Sequence, residues 1–250
     1  MSQKHFQPDI ENQNVDDIVQ EILGGIPETQ YVEVHLPSRA TSMYGLDEPI
    51  LHMRAMTFAD EKAMLSVKNK NSLNIVLDRC IQEDINPRQL ILQDKLYLLF
   101  HLRSLSVGDN YDLEITCGNC DADTITTVDV LKSFKVNYAE NPIEKTHKFT
   151  LPELGKEVTI KRASSGDLEE HADNLLDQLW RYVLEIAGHN NAKVRAQVIE
   201  KLPRRDVHKI IEEITLPNLG VDQKFIFKCP KCSHEELKEM QLSTDFFTLK

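Results

Sequence analysis

The chain has 250 residues, 41% of them hydrophobic, and carries 40 acidic against 29 basic side chains, for a formal net charge of −11 at pH 7. That length allows one large domain or two small ones with a sizeable core, and no run approaches the roughly 18 apolar residues of a membrane span. The acidic balance argues against a protein that tracks nucleic-acid phosphates, which takes clustered Lys and Arg; the one local basic cluster, Lys201-Leu202-Pro203-Arg204-Arg205, reads as a solvated helix boundary.

Residues 1–13 are polar and are expected to be a disordered tail. Met1 to Pro8 lacks the apolar run of a signal peptide, which places the chain in a reducing cytosol. Five cysteines there point to metal or free thiols rather than disulfides. Residues 14–30 read as an amphipathic helix and linker. Asn14 is the expected cap, Val15, Ile18, Val19, Ile22 and Leu23 follow at helical spacing, and Gly24-Gly25 ends the helix. Such a helix either packs on its own domain or docks on another chain.

From residue 31 the chain presents one order of elements twice. The first half, 31–136, opens with Tyr31 to Leu36 and a second short strand, Ile50 to Arg54. The second half, 146–250, opens with His147 to Leu151 and Val158 to Lys161. Each second strand leads into a capping-box pattern, Thr57-Phe58-Ala59-Asp60 and Ser164-Ser165-Gly166-Asp167, 107 positions apart. Leu73, Val76, Leu77, Cys80 and Ile81 predict one apolar helical face. Leu176, Leu179, Val183 and Ile186, with Trp180 among them, predict its counterpart. Later helices follow, with Leu96, Leu99 and Leu102 in one half and Val207, Ile210, Ile211 and Ile214 in the other. Asp94 and Asp206, at their starts, are 112 positions apart, as are Gly108 and Gly220. Periodicity lapses over residues 137–145, the expected linker between halves.

Both halves end in a CxxC knuckle, Cys117-Gly118-Asn119-Cys120 and Cys229-Pro230-Lys231-Cys232, again shifted by 112. Each sits between strand-like runs, Tyr111 to Thr116 and Thr124 to Val130, then Lys224 to Lys228 and Glu235 to Leu242, the layout of a zinc ribbon. Four thiolates are the usual ligand set of a closed structural zinc site and leave no open position for catalysis. A redox pair fits less well, because neither CxxC opens a helix whose dipole would activate a thiol. His234 is a reserve ligand, and Cys80 is most simply a core residue. The fold expected is α+β: two duplicated, pseudo-twofold halves joined by Cys117, Cys120, Cys229 and Cys232 around structural zinc. No GxSxG, HExxH or phosphate-cradling loop is present, and the scattered His and paired Glu read as solvated helix faces.

Several phrases resemble a known family: Leu36-Pro37-Ser38-Arg39, then Ile50-Leu51-His52-Met53-Arg54-Ala55-Met56-Thr57-Phe58-Ala59-Asp60-Glu61, then Leu102-Arg103-Ser104-Leu105-Ser106-Val107-Gly108-Asp109-Asn110-Tyr111 before the first knuckle. In that order they are similar to the baseplate hub assembly proteins of T4-like contractile-tailed phages, a family that includes a hub subunit and a hub assembly catalyst. The resemblance covers most of the first half, and the second CxxC fits the family's C-terminal part. It implies a non-enzymatic protein that promotes assembly by contacting baseplate hub or tail proteins. Its expected places are the host cytoplasm during assembly and the virion tail baseplate, with no nucleic-acid partner and no membrane span. The helix over 14–23, the Pro37–Pro49 loop and the end Asp245 to Leu249 are the candidate contact surfaces. A zinc-ribbon nucleic-acid-binding or transcription accessory protein is the competing reading, and a hydrolase with acids and His gathered in a cleft is a third.

Overall fold

The computed structural model describes residues 15–24, 30–67, 72–171, 174–240, 242 and 244–247. It forms two units, residues 1–30 and 31–250. In the first, α1 (Val15–Leu23) places Ile18, Val19, Ile22 and Leu23 along one side, with Asp17 and Glu21 on the other. The tail, the expected cap Asn14 and Gly25 lie outside the described residues.

In the second unit, β1 (Val32–His35) pairs antiparallel with β2 (Ile50–Met53), Val34 opposite Leu51. The helices α2 (Phe58–Ser66), α3 (Ser72–Cys80) and α4 (Leu92–Ser106) follow. An antiparallel ribbon of β3 (Asn110–Thr116) and β4 (Asp123–Asp129) carries the first knuckle at its turn. A short β5 (Val136–Asn137) pairs with β9 (Gly220–Val221) far along the chain. The strands β6 (Thr146–Thr150), β7 (Glu157–Lys161) and β8 (Val183–Ile186) make a three-stranded antiparallel sheet in that order. Around it lie α5 (Ser165–His171), α6 (Ala192–Ile199) and α7 (Arg204–Thr215). A second ribbon, β10 (Lys224–Lys228) and β11 (Glu235–Glu239), carries the second knuckle, and a 3-10 turn over Thr244–Phe247 closes the described chain. The α+β class expected from the sequence holds, with seven α-helices and only small sheets among the described residues.

The structure corrects two expectations. Leu176 to Ile186 is not a helix: a 3-10 turn at Leu179–Arg181 leads into β8, which pairs with β7. Tyr182, Val183 and Ile186 are β-branched or aromatic, and an open edge on β7 turns that preference into a strand. Apolar spacing of three and four residues could not tell the two apart over so short a run. Leu176 is accordingly 68% exposed, and Trp180 is half-buried with the Arg181 guanidinium over its ring. Next, Phe246 and Phe247 are no free surface. Phe246 and Phe247 are buried, Phe246 against Phe100 and Tyr111, and Arg103 donates to the Phe246 carbonyl. Thr248 and Leu249 lie outside the described residues. The Pro37–Pro49 loop, one of the candidate contact surfaces, folds back on the core while Arg39, Asp47 and Glu48 stay exposed. Tyr44 and Leu46 pack on the core, and the Tyr44 hydroxyl donates to buried Asp94 at 2.8 Å.

Apolar burial is organised as two clusters that do not follow chain order. One gathers Leu51, Met53, Val76, Leu77, Leu98, Phe100 and Ile115 from the first part of the chain with Phe225, Phe227, Met240, Phe246 and Phe247 from the end. The other gathers Val158, Ile160, Leu179, Val183, Ile210 and Ile214 between the three-stranded sheet and α7. The second ribbon thus contributes to the core built by the first part of the chain. Cys80 is fully buried there, and burial pushes its thiol up to about 11, which leaves it unreactive at neutral pH.

Matching positions along the chain make matching contacts. Asp60 accepts from the Thr57 backbone N–H at 2.8 Å, and Asp167 accepts from the Ser164 N–H at 3.0 Å, so both capping boxes form. Each of these carboxylates also pairs with a cation at the end of the preceding strand, Asp60 with Arg54 at 2.6 Å and Asp167 with Lys161 at 3.3 Å. At the starts of α4 and α7, buried Asp94 and Asp206 each hold the loop after a Leu-Pro step. Asp94 accepts from the Ser38 N–H at 3.0 Å, and Asp206 from the Glu153 and Leu154 N–H groups at 2.8 and 3.0 Å.

Candidate metal centre

Each knuckle is built by its ribbon. A strand pair holds the two cysteines of a CxxC at the turn, and backbone hydrogen bonds fold the turn tightly. The Cys117 N–H donates to the Ala122 carbonyl at 3.1 Å, and the Asp121 N–H to the Cys117 carbonyl at 3.0 Å. At the second knuckle the Cys229 N–H donates to the His234 carbonyl at 2.9 Å, and the Ser233 N–H to the Cys229 carbonyl at 2.8 Å. The residue after each second cysteine, Asp121 at φ 52° and Ser233 at φ 58°, is left-handed. That conformation turns the chain back into the outgoing strand and is tolerated best by short polar side chains other than Gly. The two turns therefore share one hydrogen-bond pattern.

Folding brings the two knuckles together. The sulfurs of Cys117, Cys120, Cys229 and Cys232 all lie within 4.8 Å of one another. Cys117 Sγ is 3.7 Å from Cys232 Sγ, and Cys120 Sγ is 3.8 Å from Cys229 Sγ. Both contacts pair a cysteine of one knuckle with one of the other. A tetrahedral ion with metal–sulfur bonds of about 2.3 Å sets its ligands about 3.8 Å apart along each edge. A disulfide would need about 2.05 Å, so these are four separate thiols. Cys117 and Cys229 are buried, Cys232 is half-buried and Cys120 is exposed. The donor set and its spacing fit a closed, soft-ligand divalent site. His234, the reserve ligand, is exposed and lies outside the cluster.

The surroundings favour thiolate at Cys232 and the neutral thiol at Cys120. The backbone N–H of His234, and then the Asn119 side-chain amide 3.6 Å from Cys232 Sγ, draw the Cys232 thiol down to about 6. Although the Ala122 N–H favours its thiolate, Cys120 is pushed up to about 12, because its sulfur shares protons with Cys232 and its other neighbours. A cluster split in this way holds protons that a divalent cation would displace.

Sequence patterning missed the residues that join the two ribbons. On β11 the inward positions carry charge. Glu236 Oε1 accepts from the Gly118 N–H at 2.9 Å, and Lys238 Nζ donates to the Thr116 carbonyl at 3.1 Å and pairs with Glu236 at 3.2 Å. Both side chains are half-buried against the first knuckle. The signal was present in Glu235-Glu236-Leu237-Lys238-Glu239, where an amphipathic strand would place apolar residues at the second and fourth positions.

No helix among the described residues is long and apolar enough to cross a membrane. The family model for T4 bacteriophage base plate protein matches residues 28–248, nearly the whole chain and both knuckles. Comparison with curated proteins and with solved structures finds no match.

Proposed function

Because this chain belongs to the T4 bacteriophage base plate protein family, we propose that it is a non-enzymatic baseplate hub assembly or structural protein that works through protein–protein contacts, held in shape by one zinc ion. The observation that carries the reading is the convergence of two knuckles, 112 positions apart in sequence, into one cluster of four sulfurs within 4.8 Å of one another. Soft thiolates select zinc among common divalent ions, and a four-thiolate shell leaves no position for a reacting water. The ion is a clasp. It ties the ribbon over residues 110–129 to the ribbon over 224–239, and so fastens the ends of two halves. Duplication of those halves is supported by the repeated capping boxes, the repeated Asp94 and Asp206 contacts and the shared knuckle geometry.

Two measurements test this. Purified protein should hold one zinc per chain, and both Cys117→Ser and Cys229→Ser should lose it; two independent sites, or no metal, would refute the clasp. The tagged chain purified from phage-infected cells should bring hub or tail proteins with it. Tight nucleic-acid binding that falls steeply with salt would sink the assembly reading instead.

A further inference from the structure

The second ribbon has one face in the core and one in solvent. Phe225 and Phe227 point inward and are buried. The outward positions are Lys224, Ile226 and Lys228 on β10, and Glu235, Leu237 and Glu239 on β11. The register sets Lys224 opposite Glu239, Ile226 opposite Leu237 and Lys228 opposite Glu235. Directly opposed residues project from the same face, so these six side chains form one surface. At its centre Ile226 is 74% and Leu237 64% exposed. Scattered apolar side chains on a surface need no explanation, but this pair is contiguous and has two charged residues on either side of it.

The charges are sorted by strand: on this face β10 contributes only Lys and β11 only Glu. We propose that this face is a two-fold contact between two copies of the chain, with the two-fold axis running parallel to the strands. A rotation about that axis lays β10 of one copy over β11 of the other without shifting position along the strand. Lys224 then lies over the other copy's Glu239, Lys228 over its Glu235 and Ile226 over its Leu237. The symmetry repeats all three contacts, as an isologous interface must. The alternative face-to-face axis, across the strands, lays β10 over β10 and sets Lys224 against Lys228, and on β11 sets Glu235 against Glu239. Like charges facing each other disfavour that arrangement, so the charge pattern selects one axis.

The first ribbon does not offer this complementarity. Its outward face carries Asp112, Glu114 and Asp123 around Ile125, with no basic residue, so two copies would repel there. The six-residue face is well below the roughly 800 Å² per partner of a standard interface. The dimer is therefore weak and fills only at high protein concentration.

Sedimentation equilibrium of the full chain, with zinc and reductant present, tests this. Wild type should move from the 28.7 kDa chain mass toward twice that mass as concentration rises into the millimolar range. The Ile226→Ser/Leu237→Ser double variant should associate at least about tenfold more weakly, since it removes four apolar side chains from the contact. These positions are exposed, and an unchanged melting temperature will show that the fold is intact. Exchanging all four charges (Lys224→Glu, Lys228→Glu, Glu235→Lys, Glu239→Lys) should preserve self-association while abolishing mixed dimers with wild type. A wild type that stays at chain mass, a double variant that associates equally well, or free mixing of the charge-exchanged chain with wild type would each overturn the proposal. So would a monomeric wild type whose double variant fails only to enter tails, because the face would then belong to a different protein.

Discussion

Free zinc is the variable that reads the clasp most directly. If the folded chain binds one ion and the unfolded chain does not, stability rises by about 1.4 kcal/mol for each tenfold rise in free zinc above the dissociation constant. The four sulfurs lie within 4.8 Å of one another, with the two cross-knuckle pairs at 3.7 and 3.8 Å, so folding brings the thiols together before any ion binds and the full linkage should appear. Three decades of free zinc then correspond to about 4 kcal/mol. In a chain of this size each kcal/mol moves the melting temperature by about 2–4 °C, so the expected rise is about 8–16 °C. Thermal melts in chelator-buffered zinc with reductant measure it. Cys229→Ser and Cys117→Ser replace buried cysteines from different knuckles, so each alone should flatten the slope. A wild-type midpoint that ignores free zinc across the three decades would refute the reasoning. A Cys229→Ser protein that keeps the wild-type slope would refute it as well, because the first knuckle would then bind without the second.

Asp60 gives a pH prediction. Although burial alone would raise its pKa, Arg54, the Thr57 N–H and Arg79 hold the carboxyl well below the usual carboxylate range. A depressed pKa stabilises the fold above the ordinary Asp value and loses that stabilisation as pH falls through the lowered one. Urea midpoints should therefore drop more steeply below about pH 4 in wild type than in Asp60→Asn; identical acid limbs would count against it. At neutral pH Asp60→Ala should cost about 3 kcal/mol, the lower end for a broken buried pair, because half-exposed Arg79 regains water. Gly166→Ala tests the seat of α5, since an added Cβ would lie 3.0 Å from both the Arg88 Cβ and its carbonyl oxygen. Crowding of about 1–3 kcal/mol should outweigh the roughly 1 kcal/mol helix-propensity gain of Ala, so chemical denaturation should show net destabilisation; a more stable variant would contradict that packing. Asp94→Ala and Asp206→Ala should each cost about 1.5–3 kcal/mol, the worth of hydrogen bonds to a buried carboxylate. A loss under about 0.5 kcal/mol at either position would show that the two aspartates do not play matching parts.

Local patterning determined a good deal of this protein. The strands over 32–35 and 50–53, the Thr57 and Ser164 boxes, the helices over 72–80, 92–106 and 204–215 and the ribbons flanking both knuckles lie where alternation, apolar spacing and capping residues put them. Each depends on neighbours within a few residues, which is the range over which such patterns carry information. The four cysteines were legible as a candidate ligand set because CxxC spacing is itself local. The meeting of the two pairs within 4.8 Å was settled by the fold. So was the strand at Val183–Ile186, which exists because β7 offers an edge. The burial of Phe246 and Phe247 was settled the same way, because a terminal segment looks exposed until the core of another part of the chain receives it. The inward charges Glu236 and Lys238 broke their strand's alternation for a reason visible only across the joint, where Gly118 and Thr116 wait for them. Sequence thus determined the pieces, through short-range backbone preference and periodicity. Tertiary structure decided which pieces touch, because hydrophobic burial and the pairing of buried polar groups are satisfied between segments more than a hundred residues apart.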